Sequence, residues 1–301
     1  QPVRGGHSFI VQSLCRHPRQ NNYDMKGSIN DALVELILMM GAIRRNGPVE
    51  RITAVVPYFA YNRQDRKAQS GETISAADIA RVLTAMGCSR VIVVDPHSDQ
   101  LAGFFPPEVT CDFVSAMPVF AAWLSEALDL ENPVVVTPDA GGMVRTKRFR
   151  NMIEEKWSKK KGQKVSVELA MIVKQRARAG VVERMDLVGN VSGSDCILCD
   201  DMVDTAGTLC KAAAKLRENG CKRIFAFATH GLFNGPAIDR INESPIEFLI
   251  VTNTLPLPEN ALKSKKVRQL NIAPILAQTI RSVYLKEALD KDPHGPFSSM
   301  L

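Results

Sequence analysis

Seven short apolar runs, separated by stretches of helical spacing, constrain the fold of this chain more than any other feature. They lie at 52–56, 91–94, 134–136, 169–173, 196–199, 224–228 and 248–251. Each is continuously apolar rather than alternating, so each reads as a strand covered on both faces. Helix-period segments such as 76–85 separate them. Buried strands alternating with helices predict an α/β chain with doubly wound parallel sheets.

A helix–stop–strand unit occurs twice at one constant offset. Leu83, Gly87, Cys88, Arg90 and His97 match Leu216, Gly220, Cys221, Arg223 and His230. Each copy reads as a helix, a glycine stop, a strand, and a histidine past the strand's carboxyl end. A duplicated α/β domain accounts for this. The chain has 301 residues, long enough for two domains of ordinary size. The predicted division is 1–128 and 129–301.

With 45% apolar and 23% charged residues, the composition is globular. No apolar run approaches the roughly 18 residues of a membrane span, and no secretory pattern opens the sequence. No membrane association is expected. Seven scattered cysteines, an odd number, suggest reduced thiols and a cytoplasmic location. Cys196 and Cys199 form a C-x-x-C inside an apolar run, which favours buried strand thiols over a redox or zinc role. The net charge is +6, and the densest basic cluster is 156–164. It reads as a solvated helix end and loop, so no nucleic-acid partner is expected. A phosphate-handling enzyme would also carry surplus positive charge.

The run 196–199 leads into Asp200, Asp201, Met202, Val203, Asp204, Thr205, Ala206, Gly207 and Thr208. In open α/β sheets ligands collect at the carboxyl ends of strands. Backbone N–H groups at a helix start, with Gly207 allowing close approach, cradle a phosphate. Thr205 and Thr208 add hydroxyl donors. The carboxylates suit the vicinal hydroxyls of a sugar, or a divalent ion on those hydroxyls. A capped helix with an acidic first turn would explain one aspartate, not three with this Thr/Gly pattern. No P-loop and no G-x-G-x-x-G is present, so a nucleotide would be bound some other way.

This segment resembles the phosphoribosyl-pyrophosphate loop of the type I phosphoribosyltransferase fold, which serves both enzymes that consume phosphoribosyl pyrophosphate and enzymes that make it. Four other segments resemble the makers, the ribose-phosphate pyrophosphokinases. Residues 57–67, with Arg63 and Gln64, are similar to their nucleotide segment, and 95–105, with His97, to their signature. Residues 137–142, with Asp139, are similar to their pyrophosphate loop, and 173–176, with Lys174 and Arg176, to the start of their catalytic loop. Thr229, His230 and Gly231 fit as well. The motifs run in order from Arg4 to the end of the chain.

The resemblance implies transfer of the pyrophosphoryl group of ATP to the C1 hydroxyl of ribose 5-phosphate. It assigns ATP to Arg63, Gln64 and His97, and Mg²⁺ to His97 and Asp139. It assigns catalysis to Lys174 and Arg176, and ribose 5-phosphate to Arg176 with Asp200, Asp201 and 204–208. It also implies a homo-oligomer of dimers in a hexamer-like ring, with phosphate and ADP as effectors. The residues suit these roles. Arginine stacks on purines and binds phosphate, and glutamine bonds a base or ribose. Two cations neutralise charge during phosphoryl transfer.

The sequence also departs from the family. The leading strand and acidic-glycine ATP motif that precede the position of Arg4 are not in it. Pro96 and Ala102 replace residues of the histidine signature, Pro106 and Thr110 stand where the family often has carboxylates, and segments 16–28 and 155–163 are longer. Ser299, Met300 and Leu301 weakly resemble a peroxisomal address. Two other readings stay open: a non-catalytic regulatory subunit of such an enzyme, and a phosphoribosyltransferase using the same loop.

Overall fold

The computed structural model describes residues 5–16, 27–67, 69–175 and 184–287. Arg176 and the carboxyl-terminal Ser299–Leu301 triplet lie outside these. The chain forms two compact units. The first comprises Gln1–Ser115 with Thr254–Pro256 and Ile275–Leu289; the second comprises Ala116–Asn253 with Leu257–Pro274 and Asp290–Leu301.

In the first unit, β1 (His7–Val11), β2 (Arg51–Val56), β3 (Arg90–Val94) and β4 (Thr110–Val114) form a four-stranded sheet in that order. Every pairing is parallel. Helix α1 (Ile29–Arg45) joins β1 to β2, and α2 (Ser75–Ala85) joins β2 to β3. The start of α1 is fixed by a capping box. Ser28 Oγ accepts from Asp31 N at 3.2 Å, and Asp31 Oδ2 accepts from Ser28 N at 2.5 Å. Ala32, Leu36 and Met40, spaced by one turn, form its buried stripe. Residues 275–285 of the last helix also belong to this unit.

The second unit contains α3 (Met117–Ala127), β5 (Val134–Thr137), α4 (Met143–Lys161), β6 (Glu168–Gln175), β7 (Arg184–Val188) and β8 (Asp195–Val203). These are followed by α5 (Gly207–Glu218), β9 (Arg223–Gly231), α6 (Ala237–Glu243), β10 (Phe248–Thr252), α7 (Glu259–Lys263) and β11 (Val267–Leu270); α8 (Ala273–Leu285) begins here. Its seven-stranded sheet runs β11-β10-β9-β8-β5-β6-β7. Only β7 is antiparallel, paired with β6. All seven apolar runs lie in central or near-central strands, and the α/β parallel-sheet class stands.

The boundary expected at 128 moves to the start of α3. Phe120 of α3 packs edge-on against Phe227 of β9 at 5.0 Å between ring centroids, and Trp123 meets the same ring at 6.4 Å. Burial of these rings, on the order of 150–250 Å² each, attaches α3 to the second sheet. The repeated glycines stop their helices as read: Gly87 has φ +85° and Gly220 φ +82°, left-handed values that favour glycine. The described cysteines are all free thiols, and Cys196 and Cys199 are buried on β8. No helix among the described residues is long and apolar enough to cross a membrane.

Candidate active site

Strand β8 is apolar at 196–199 and acidic at its carboxyl end, and its ladder with β9 continues past the acids. Asp200 pairs with Ala228, Met202 with His230 and Val203 with Gly231. The acidic pair therefore belongs to the strand rather than to the loop after it. Successive strand residues face opposite ways, so the two neighbours have different surroundings. Asp201 is buried at 5% exposure and pairs with Arg145 of α4, Nη1 to Oδ1 at 3.0 Å. Asp200 is partly buried, and its carboxylate accepts from the Asp201 amide at 2.9 Å. Burial, then the charge and hydrogen bonding of Asp201, then the charge of Asp139, push the Asp200 carboxyl well above the usual range.

The turn after β8 is short. Asp204 is held from both ends by Asn234: its carbonyl accepts from Asn234 N at 3.0 Å and its Oδ1 from Asn234 Nδ2 at 2.8 Å. The Thr205 carbonyl accepts from Arg240 Nη1 at 3.0 Å. Ala206 is left-handed, with φ +58° and ψ 6°, and helix α5 starts at Gly207 with no side-chain cap. Leu209, Ala212, Ala213 and Leu216 bury one face of α5 and fix its direction. Uncapped amides at a helix start form an anion-binding geometry.

A second turn follows β5, the neighbour of β8. Thr137 Oγ1 donates to the Asp139 carbonyl at 2.6 Å, and Asp139 Oδ1 accepts from Gly142 N at 3.0 Å. A Cβ at Gly142 would lie 2.6 Å from Thr137 Oγ1, so only glycine fits without a shift. Asp139 stays exposed. The two turns leave adjacent paired strands. Lys174 is exposed near the end of β6, opposite Met185 of β7.

In the first unit, Arg63 and Gln64 are exposed on the connection from β2 to α2. Tyr61, at φ +61°, donates its hydroxyl to Asn30 Oδ1 of α1 at 2.7 Å. The Gln64 amide donates to the Tyr61 carbonyl at 2.9 Å, and the Gln64 carbonyl accepts from Ala76 N at 3.3 Å. These bonds fix the backbone and leave the two side chains outward. His97 is exposed past β3. The preceding bend contains buried Asp95 at φ +35°, whose amide donates to Val114 of β4 at 3.0 Å. No group of three or more His, Cys, Asp or Glu able to hold a metal occurs among the described residues. The exposed carboxylate of Asp139 is a hard oxygen donor of the kind Mg²⁺ takes in small number, completing its shell with water and phosphate oxygens. The residues present therefore fit that ion.

The structure adds three residues that the sequence did not single out: Arg145, Asn234 and Arg240. Each contacts the acidic segment from 30 or more positions away, beyond the reach of any local motif.

Two family models match the chain. The N-terminal domain of ribose phosphate pyrophosphokinase matches residues 1–87, and the phosphoribosyl synthetase-associated domain matches 147–291. Ribose-phosphate pyrophosphokinase of Shewanella oneidensis is 42% identical, over 95% of this chain and 83% of its own length. The enzyme of that name from Pasteurella multocida is 40% identical, over 95% of this chain and 84% of its own. The crystal structure of phosphoribosylpyrophosphate synthetase from Mycobacterium smegmatis superposes with a TM-score of 0.77 at 36% identity, covering 95% of this chain and 85% of that one. Identity at this level, spread over the whole length and not confined to the phosphate-binding turn, means that the chain belongs to the ribose-phosphate pyrophosphokinase family.

Proposed function

We propose that the acidic end of β8 and the uncapped start of α5 hold ribose 5-phosphate while ATP gives up its pyrophosphoryl group to the sugar. Synthesis of phosphoribosyl pyrophosphate from ribose 5-phosphate and ATP is the activity of this family, and its product feeds nucleotide biosynthesis. The observation that carries the assignment is the left-handed Ala206 ahead of an uncapped helix start. The amides at 206–208 receive the 5′-phosphate, and Thr205 and Thr208 add hydroxyls. Asp200 and Asp204 face the ring hydroxyls. Asp201 stands behind them on Arg145.

Arg63 and Gln64 take the nucleotide, and His97 and the 139–142 turn take its phosphates. By family resemblance His97 and Asp139 are each assigned to Mg²⁺, which would supply charge neutralisation on the phosphate oxygens when bound. The C1 hydroxyl attacks the β-phosphorus, and the bond to the departing AMP oxygen breaks. Lys174 and Arg176 offset the negative charge that builds on the phosphoryl oxygens in the transition state. By family resemblance the chain acts as a homo-oligomer in the cytoplasm and responds to phosphate and ADP.

Purified protein supplied with ATP, ribose 5-phosphate and Mg²⁺ is expected to release AMP, and chelation of the metal to abolish this. Pyrophosphate release with a free base would identify a phosphoribosyltransferase instead. Silence alone, with stimulation of an active homologue, would identify a regulatory subunit.

A further inference from the structure

We propose that the Arg145–Asp201 pair is a positioning strut that ties the pyrophosphate turn to the sugar turn and sets how the two ligands meet. The proposal rests on assigning residues 139–142 and 200–208 to pyrophosphate and sugar phosphate. Arg145 occupies the first turn of α4, directly after the 139–142 turn. A cation there faces the positive end of the helix dipole and the helix's own unpaired amides. The helix gains nothing from it, so its reason must lie elsewhere. Asp201 is that reason: the ion pair is 3.0 Å long, with side-chain exposures of 19% and 6%.

The geometry joins two turns that leave adjacent parallel strands. Strands β5 and β8 pair through Val136 and Leu198. Past that register each turn is held by its own set of hydrogen bonds. The 139–142 turn closes through Thr137 and Gly142, and the 204–206 turn through Asn234 and Arg240. Arg145 crosses from one to the other. Asp200, the neighbour of Asp201 on β8, is hydrogen-bonded to it, so the strut also fixes the position of Asp200. Reacting groups must be held to within a few tenths of an ångström for full rate, so a loose strut costs turnover as well as affinity. Asp201 in this arrangement is a positioning residue and does not contact the sugar.

The test is a double-substitution cycle in the full chain, with steady-state kinetics for both substrates. Arg145→Met and Asp201→Asn are each expected to lower kcat about tenfold and raise the ribose 5-phosphate KM several-fold. The KM for ATP should change by less than about threefold. The double variant should be no worse than the weaker single one, because either change removes the same strut. Arg145→Lys, which keeps the charge but loses the planar fork, should recover part of kcat. Losses that multiply in the double variant, or single variants within about twofold of the parent, overturn the proposal. If Arg145→Met does not stay folded at assay temperature, Arg145→Lys and Asp201→Glu carry the same cycle. Asp204→Asn serves as the reference: no change in its ribose 5-phosphate affinity refutes the ligand assignment itself, whereas a change there with none at Arg145 refutes only the strut.

Discussion

The two units share one structural phrase and end it differently. In each, a helix stops at a left-handed glycine, Gly87 or Gly220, and a buried cysteine follows. Cys88 Sγ donates to the Arg90 carbonyl at 3.0 Å and to that of Ile52 at 3.7 Å; Cys221 Sγ donates to the Arg223 carbonyl at 3.1 Å and to that of Ser194 at 3.3 Å. In each, the arginine opening the next strand pairs with an aspartate on a neighbouring strand, Arg90 with Asp112 and Arg223 with Asp195. The difference lies in the connection before the helix. From β8 to α5 it is the tight 204–206 turn, and from β2 to α2 it is the long 57–74 segment. A tight turn fixes backbone amides, the geometry proposed here to hold the sugar phosphate. A long connection presents side chains, here Arg63 and Gln64. One scaffold can thus serve two ligand types by changing only that connection.

The comparison breaks most severely at Lys174, which has no counterpart in the repeated phrase. Lys174→Ala is expected to reduce turnover at least about a hundredfold, near 3 kcal/mol, with ribose 5-phosphate binding nearly intact in calorimetry. A mild loss removes its catalytic role. Next come the two ion pairs. Asp195 is fully buried, held by Arg223 Nε at 2.9 Å, Arg223 Nη2 at 2.5 Å and the Glu131 amide at 2.7 Å. Asp195→Ala should cost about 3 kcal/mol in denaturant unfolding. Asp112 is more exposed, its side chain at 19% against 0% for Asp195, and Asp112→Ala should cost about 1 kcal/mol. Equal losses would mean that the pairs do the same work in both units.

Asp200→Asn and Asp204→Asn should each weaken ribose 5-phosphate binding about tenfold, while Arg63→Ala raises the ATP KM and leaves sugar binding alone. Crossed effects would contradict the division of ligands between the two connections. A smaller effect is pH dependence. Burial opposes the Asp195 carboxylate, but the Arg223 hydrogen bonds and the Glu131 amide outweigh it and hold its pKa below the usual value. Its stabilisation is therefore complete above about pH 4 and fades as pH falls through the lower folded value. Asp195→Asn should flatten that acid limb of the stability curve. Smallest of all, Gly87→Ala and Gly220→Ala should each cost about 1 kcal/mol, the common price of the left-handed stop.

The central strands were legible from sequence because they are apolar on both faces. The four that were missed, β1, β4, β7 and β11, are the edge strands of the two sheets. Strand β4 has no buried residue and β11 has one, so neither leaves an apolar run to read. Asp200 to Thr208 were legible as a local pattern. Arg145 was not, because its meaning depends on a partner three strands later in the chain. The division between units was read one helix late, because α3 looks like an ordinary crossover until Phe120 is seen against Phe227.

The alternation along β8 bears on how the sequence can vary in length. One residue added or lost between Asp195 and Asp200 would turn every later side chain to the opposite face. Asp201 would leave Arg145, and the mouth of the strand would be rebuilt. The segment from Asp195 to Val203 is accordingly a ruler that does not tolerate a change of length. The 57–74 connection has no such gauge, and outside its bonded 61–64 stretch a change of length costs little.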